Sequence, residues 1–319
     1  MLPGARAATR FGLGTVSGES GDRRTFPLIQ RRRRPGLPFG EISTRRRGHG
    51  VERLGHRPYE PGDPVAWIDW FASARLSATT GTDEFVVRQR AADEAPRVVV
   101  AVDRSPAMAL YPQPLPWLAK RAALREAVAA IVSSAAAARA DTAALDFSDG
   151  TPWWLPPGRR GRPERIAERE QAPFTAPADT LERALDFLGR HRSQLPPGTF
   201  VFLLSDFLTP PSAQAWQSAL ARGWEIVPVV IQDPVWERSF PDVGGVAVPI
   251  AEPRGDGGAL VRFSRREAQE RREANMRRHE RLLRDFQALA LDPVLIGASE
   301  PEEVDGAFLA WADVRQLSR

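Results

Sequence analysis

The residues of this chain best suited to chemistry are oxygen donors. Asp103 and Ser105 follow the run Val98-Val99-Val100-Ala101-Val102, Ser205-Asp206 closes the apolar run 199–204, and Thr180 stands between them at the start of a helix. Two carboxylates and two hydroxyls gathered at one edge suit a hard cation such as Mg²⁺, which takes oxygen ligands in six-fold geometry and retains waters. Composition excludes softer metal chemistry, because the chain has no Cys and its four His (His49, His56, His191, His279) are scattered. The same lack of Cys removes a disulfide framework and a thiol nucleophile. No G-x-S-x-G, phosphate loop or nucleophile beside a base occurs, and Gly255-Asp256-Gly257-Gly258 is read as a loop with neither a strand before it nor a phosphate-binding lysine after it. Each donor also has a structural reading: Asp103 and Asp206 can hold loops through backbone N–H groups, and Thr180 can be an ordinary first-turn residue. Lys120, the only lysine in the chain, is expected to be solvated.

Strands and helices in alternation must position these donors. Beyond Pro96, residues 98–102, 142–147, 199–204, 225–231 and 292–296 read as strands, the β-branched ones buried on both faces of a parallel sheet, with Trp153-Trp154-Leu155 a short neighbour of the second. Helices are expected over 117–139, after Asp179 with Glu182 completing a capping box, over 212–222, after Ser264 with Glu267 as a second capping box, and from 301 onward. Strands separated by helices give an α/β fold with a doubly wound, mostly parallel sheet. In such sheets ligands sit outside the strands' carboxyl ends, where strand order reverses.

Upstream, residues 1–35 read as a flexible Arg-rich arm and residues 36–96 as a small β-rich unit, leaving 97–319 for the α/β domain. Within the small unit the clearest strand is 84–88, and Asp63 can cap a helical turn that begins at Pro64. The isoelectric point near 10.3 overstates how basic the chain is, since the net charge is only +4 and almost nothing titrates between neutrality and the Arg range. The excess is local: residues 1–60 hold 13 Arg against 5 acidic residues, so a nucleic-acid role would rest on the arm alone. No secretory or membrane-spanning run is visible, which leads to the expectation of a cytoplasmic protein.

At Asp103-Arg104-Ser105, Thr180 and Asp206 the chain resembles the von Willebrand factor A fold, whose metal-ion-dependent adhesion site takes D-x-S-x-S after the first strand, Thr from a second loop and Asp after a later strand. More specifically, Tyr59-Glu60-Pro61-Gly62-Asp63, Ile68-Asp69-Trp70 and Ser73-Ala74-Arg75 are similar to the signature of the bacterial domain-of-unknown-function 58 family, which joins this segment to a von Willebrand-like domain. Lys120, Ser205-Asp206-Phe207, Asp233-Pro234 and Phe240-Pro241 extend the similarity over residues 40–319. The resemblance implies Mg²⁺ at Asp103, Ser105, Thr180 and Asp206, with a coordination position left for a partner's carboxylate, so that Asp103, Ser105 and Asp206 also bind the partner. It further implies a MoxR-type AAA+ ATPase as that partner, in chaperone-like assembly of other complexes.

Three positions depart from the pattern. Ala107 stands where the adhesion site has its second serine, Ala66 where the family carries an Arg, and Asp233 and Phe240 are one residue further apart than expected. Tyr59, Gly62, Asp63, Asp69, Trp70 and Arg75 form the structural signature, with Asp69 and Arg75 expected to pair and Trp67 and Trp70 to act as core. The expectation is a non-enzymatic protein-interaction module working through a degenerate adhesion site. The alternatives are a metal-dependent hydrolase and a nucleic-acid binder acting through the arm.

Overall fold

The computed structural model describes residues 24–30, 53–59, 68–81, 85–90, 95–110, 118–251 and 258–317. In the N-terminal unit, β1 (Arg53–Pro58) pairs antiparallel with β2 (Val86–Arg90), and α1 (Trp70–Thr80) lies between them in sequence. The strand expected at 84–88 therefore falls two residues later, and a helix accompanies the strand pair. The helix forms because the Asp69 carboxylate accepts the Ala72 N–H (3.1 Å) and Gly81, at φ +72°, ends it with an N–H to Ser77 O. Trp70 is 61% exposed and meets Phe85 edge-on, so its expected core role is corrected: it begins α1 on the helix's solvent side. Gly62, Asp63, Ala66 and Trp67 lie outside the described residues.

The six-stranded sheet comprises β3 (Arg97–Val102), β4 (Asp141–Asp146), β5 (Trp153–Gly158), β6 (Phe200–Ser205), β7 (Glu225–Ile231) and β10 (Val294–Ile296). Its order is β10-β7-β6-β3-β4-β5, parallel throughout except for the β4–β5 pair. Side chains alternate along β3, so Val98 and Val100 enter one core while Val99 and Ala101 enter the other. The first core is covered by α2 (Lys120–Ala137), α3 (Arg162–Glu168) and α7 (Pro301–Leu317). The second is covered by α4 (Thr180–Arg190), α5 (Ala213–Leu220) and α6 (Arg265–Ala288). Helices on both faces of a mostly parallel sheet make the doubly wound α/β fold, and each fully buried Val or Leu in these layers contributes about 1.5–3 kcal/mol.

Three further features depart from the sequence expectations. Residues 24–30, inside the stretch read as an arm, dock on the first core: Phe26 stacks on Phe308 (4.7 Å), its N–H donates to Ser134 Oγ (3.0 Å), and Arg315 Nη1 donates to Ile29 O (3.0 Å). The apolar Phe26 and Ile29 override the polar composition around them. The Asp179–Glu182 capping box does not form, because Asp179 pairs with Arg183 (2.8 Å) and Glu182 accepts from Ser212 on the next helix. A third antiparallel pair, β8 (Ala247–Ala251) with β9 (Gly258–Arg262), brackets the glycine-rich segment, so a strand does precede it. No described helix is long and apolar enough to cross a membrane.

Candidate functional site

Strand order reverses between β3 and β6: from β3 the chain moves outward to β4 and β5, then returns to β6 on the other side. The crevice beyond these two carboxyl ends is the switch point where such sheets bind ligands. Asp103 leaves β3 there and Asp206 leaves β6, with the Asp103 N–H donating to Leu204 O (2.9 Å) to hold the two loops in register. Both carboxylates are buried on the same rim.

Asp103 Oδ1 accepts the Ser105 N–H (2.7 Å) and Oδ2 accepts the Ser205 hydroxyl (2.6 Å). Burial first, and the nearby Asp206 charge second, raise the Asp103 carboxyl to about 6, against the opposing hydrogen bonds from Ser205 and Ser105. Ser205 Oγ in turn accepts the Phe207 N–H (3.0 Å), and Phe207 adopts a left-handed backbone (φ +51°) that turns the chain sharply off the strand. Asp206 Oδ1 accepts the Leu208 N–H (3.0 Å).

The remaining Asp206 oxygen faces the ammonium of Lys120. Lys120 is 0% exposed, so its expected solvation is corrected. Its Nζ donates to Asp206 Oδ2 (2.9 Å), to Ala107 O (3.2 Å) and, in a short contact, to Glu237 Oε1. Burial alone would lower the lysine pKa; Asp206 and Glu237 outweigh it and hold the group charged, above its ordinary value. Glu237 is itself raised, by burial above all.

This ammonium joins three loops, those after β3, β6 and β7, at the first residue of α2. The clamp is extended by Asp233, whose Oδ2 accepts the Leu118 N–H (3.1 Å) while Oδ1 accepts from Val235 and Trp236 (2.8 Å each). Glu237 Oε2 closes the loop on the Asp233 N–H (2.8 Å). Behind Asp206, Gln232 Nε2 donates to its carbonyl (2.6 Å) and Gln232 Oε1 accepts from His279 Nδ1 (2.8 Å).

Of the residues expected to hold Mg²⁺, the structure brings together Asp103, Ser105 and Asp206, along with the Ala107 carbonyl. Thr180 is buried at the start of α4, and among the described residues its hydroxyl makes no hydrogen bond to this cluster. As the residues stand, the arrangement does not fit a divalent ion, because the cation's place beside Asp206 is taken by an ammonium and both Asp103 oxygens already accept from protein donors. Among the described residues no group of three or more His, Asp or Glu is arranged to hold a metal. Lys120, Glu237 and Asp233 are the members that sequence reasoning did not assign to the site.

A groove of about 970 Å³ opens beside the rim between α2 and α3. Its arginines are engaged internally: Arg104 donates to the Arg169, Glu170 and Ala172 carbonyls, Arg169 pairs with Asp146 (2.8 Å), and Arg104 and Arg121 both lie over Phe174. In the small unit, Tyr59 N–H donates to Phe85 O (2.7 Å), Ser73 Oγ accepts the Val86 N–H (3.0 Å), and Arg75 is exposed. Ser73 thus ties α1 to β2, and Tyr59 ties the end of β1 to the residue before β2.

The family described as "Protein of unknown function DUF58" matches residues 55–282. The chain belongs to the DUF58 family. That match begins within β1 and reaches the Leu282 turn of α6, so all of Asp103, Lys120, Asp206 and Glu237 fall inside the DUF58 region. Uncharacterized proteins of Mycobacterium bovis and Mycobacterium tuberculosis are 28% identical over 235 residues, covering 72% of this chain and 69% of theirs. Two solved structures align at a TM-score of 0.40. One is a conserved hypothetical protein, BatB, from Bacteroides thetaiotaomicron (12% identity, 68% of this chain and 99% of that one). The other is an aerotolerance-related membrane protein from Bacteroides fragilis (13% identity, 69% and 99%).

Proposed function

We propose that this DUF58 chain is a non-enzymatic protein-interaction module of von Willebrand factor A-like architecture, which docks a partner on the rim around Ser105–Ala107 and Leu208–Pro210. One observation carries this reading: the rim carboxylates are buried and engaged by internal donors, so they shape the loops rather than face a substrate. A general acid, base or nucleophile would need reach to a substrate atom, whereas a docking surface needs loops held in one shape. The partner in this proposal is a MoxR-type AAA+ ATPase, as the resemblance at Tyr59–Arg75 and Ser205–Phe207 implies.

The test is binding between the purified chain and the purified ATPase from the same genome, followed by interferometry. Thr209→Arg and Pro210→Arg, both at exposed positions of the rim, should each weaken the complex at least about tenfold without lowering Tm. Absence of a complex overturns the proposal. So does binding that survives both rim changes but is lost with Arg266→Glu on the exposed side of α6, and so does metal-stimulated phosphoester hydrolysis that Asp206→Asn abolishes.

A further inference from the structure

The resemblance implied a divalent cation held by Asp103, Ser105, Thr180 and Asp206, and against the last of these the structure puts an amino group of the chain itself. We infer that the Lys120 ammonium is the resident cation of this rim, covalently tethered and standing where a divalent ion would otherwise sit, so that the rim is assembled independently of metal. The inference does not depend on the rim being the docking face.

Four observations converge on it. The ammonium is fully buried and contacts three oxygens that come from three separate loops: Asp206 after β6, Glu237 after β7 and the Ala107 carbonyl after β3. A carboxylate-rich pocket at a strand-end crevice stays ionised only if a positive charge neutralises it, since an uncompensated buried carboxylate costs several kcal/mol. Lys120 supplies that charge from the first residue of α2, where the helix dipole disfavours a cation. Its position is thus explained by the carboxylates and not by the helix. Ala107 contributes no hydroxyl, and its carbonyl points at the ammonium instead.

The geometry also defines what lies beneath. Without the amine, Asp206 Oδ2, Glu237 Oε1 and the Ala107 carbonyl would remain around a vacated cation position, with Asp103 and its serine network next to them. These are hard oxygen donors of the kind that suit Mg²⁺ or Mn²⁺. Removal of the lysine side chain is accordingly expected to leave a position of two carboxylates and one carbonyl open to such an ion.

Because the chain contains a single lysine, the wild-type protein labelled with ε-¹⁵N-lysine reports on this position alone. The Nζ signal should be that of a protonated, slowly exchanging ammonium, and millimolar Mn²⁺ should leave it sharp and Tm unchanged relative to EDTA. Paramagnetic loss of that signal, or a Tm rise that Asp206→Asn removes, overturns the inference. In Lys120→Ala, Mn²⁺ should bind one-to-one by electron paramagnetic resonance and raise Tm by at least about 3 °C, both effects vanishing in the Lys120→Ala, Asp206→Asn double variant. A folded Lys120→Ala that ignores Mn²⁺ overturns that expectation. Should that variant be unfolded in EDTA, folding on addition of Mn²⁺ supports the inference. If it stays unfolded in both buffers, the wild-type lysine signal decides.

Discussion

Removing one charge from a buried ion cluster strands its partners, at a cost of about 3–5 kcal/mol. Lys120→Met keeps the apolar stem but leaves Asp206 and Glu237 facing each other without their cation. A loss of that size in urea unfolding is expected, against less than about 1 kcal/mol for Arg266→Met, whose ion pair with Glu270 is exposed. Asp103 gives a pH prediction. Its carboxyl rises from 3.8 to about 6 on folding, so its stabilising contribution is full below the unfolded value and is lost as pH climbs through the folded one. The window is about pH 4–6, and the size is about 3 kcal/mol. Glu237, raised by burial, acts in the same sense, while His279, lowered chiefly by burial, loses stability on acidification. Comparison with Asp103→Asn isolates the one group: the wild type's advantage over the variant should shrink as pH rises across that window, and parallel profiles would rule it out. Asp103, Ser105 and Asp206 were legible in the sequence because strand-end loops can be located from hydrophobic runs alone. Lys120 and Glu237 were not, because neither directly follows a strand: Lys120 opens α2 and Glu237 lies in the loop well past the end of β7. The one local clue was a cation opening a helix against its dipole.

Helix caps show how a local pattern can be right once and wrong once. Ser264 and Glu267 make the reciprocal box at the start of α6, Ser264 Oγ accepting the Glu267 N–H (3.2 Å) and Glu267 accepting the Ser264 N–H (2.8 Å). Ser264→Ala should therefore cost about 1 kcal/mol in chemical denaturation. Asp179 and Glu182 have the same spacing, but the neighbouring Ser212 at the start of α5 captures Glu182, and Asp179 turns to Arg183. Asp179→Ala should stay within about 0.5 kcal/mol, since an exposed pair is all it removes. Tertiary competition decides between the two sites, and no window of a few residues contains it. The parallel strands were readable because continuous β-branched runs buried on both faces have no other stable placement. The β8–β9 pair lacks that signature, as its best-covered core is the small cluster of Phe240, Val248, Phe263 and Ala268.

At the scale of the molecule, the first core is closed by a segment that composition assigned to a tail. Phe26 stacks on Phe308 and meets Phe202 and Trp311 edge-on, so Phe26→Ala should cost about 3–5 kcal/mol. Urea midpoints for this variant and for a chain lacking residues 1–30 should both fall, and an unchanged midpoint would show that the contact is dispensable. The apolar run Phe26-Pro27-Leu28-Ile29 in a polar stretch was the available signal, outweighed by the arginines around it.

The borders of the sheet carry a last consequence. On one side β5 reads Trp153-Trp154-Leu155-Pro156-Pro157-Gly158, and on the other β10 has three residues. Prolines offer no amide hydrogen to an incoming backbone, and so short a border gives little purchase for one. Copies of this protein are thereby discouraged from zipping together into ribbons along the six-stranded sheet.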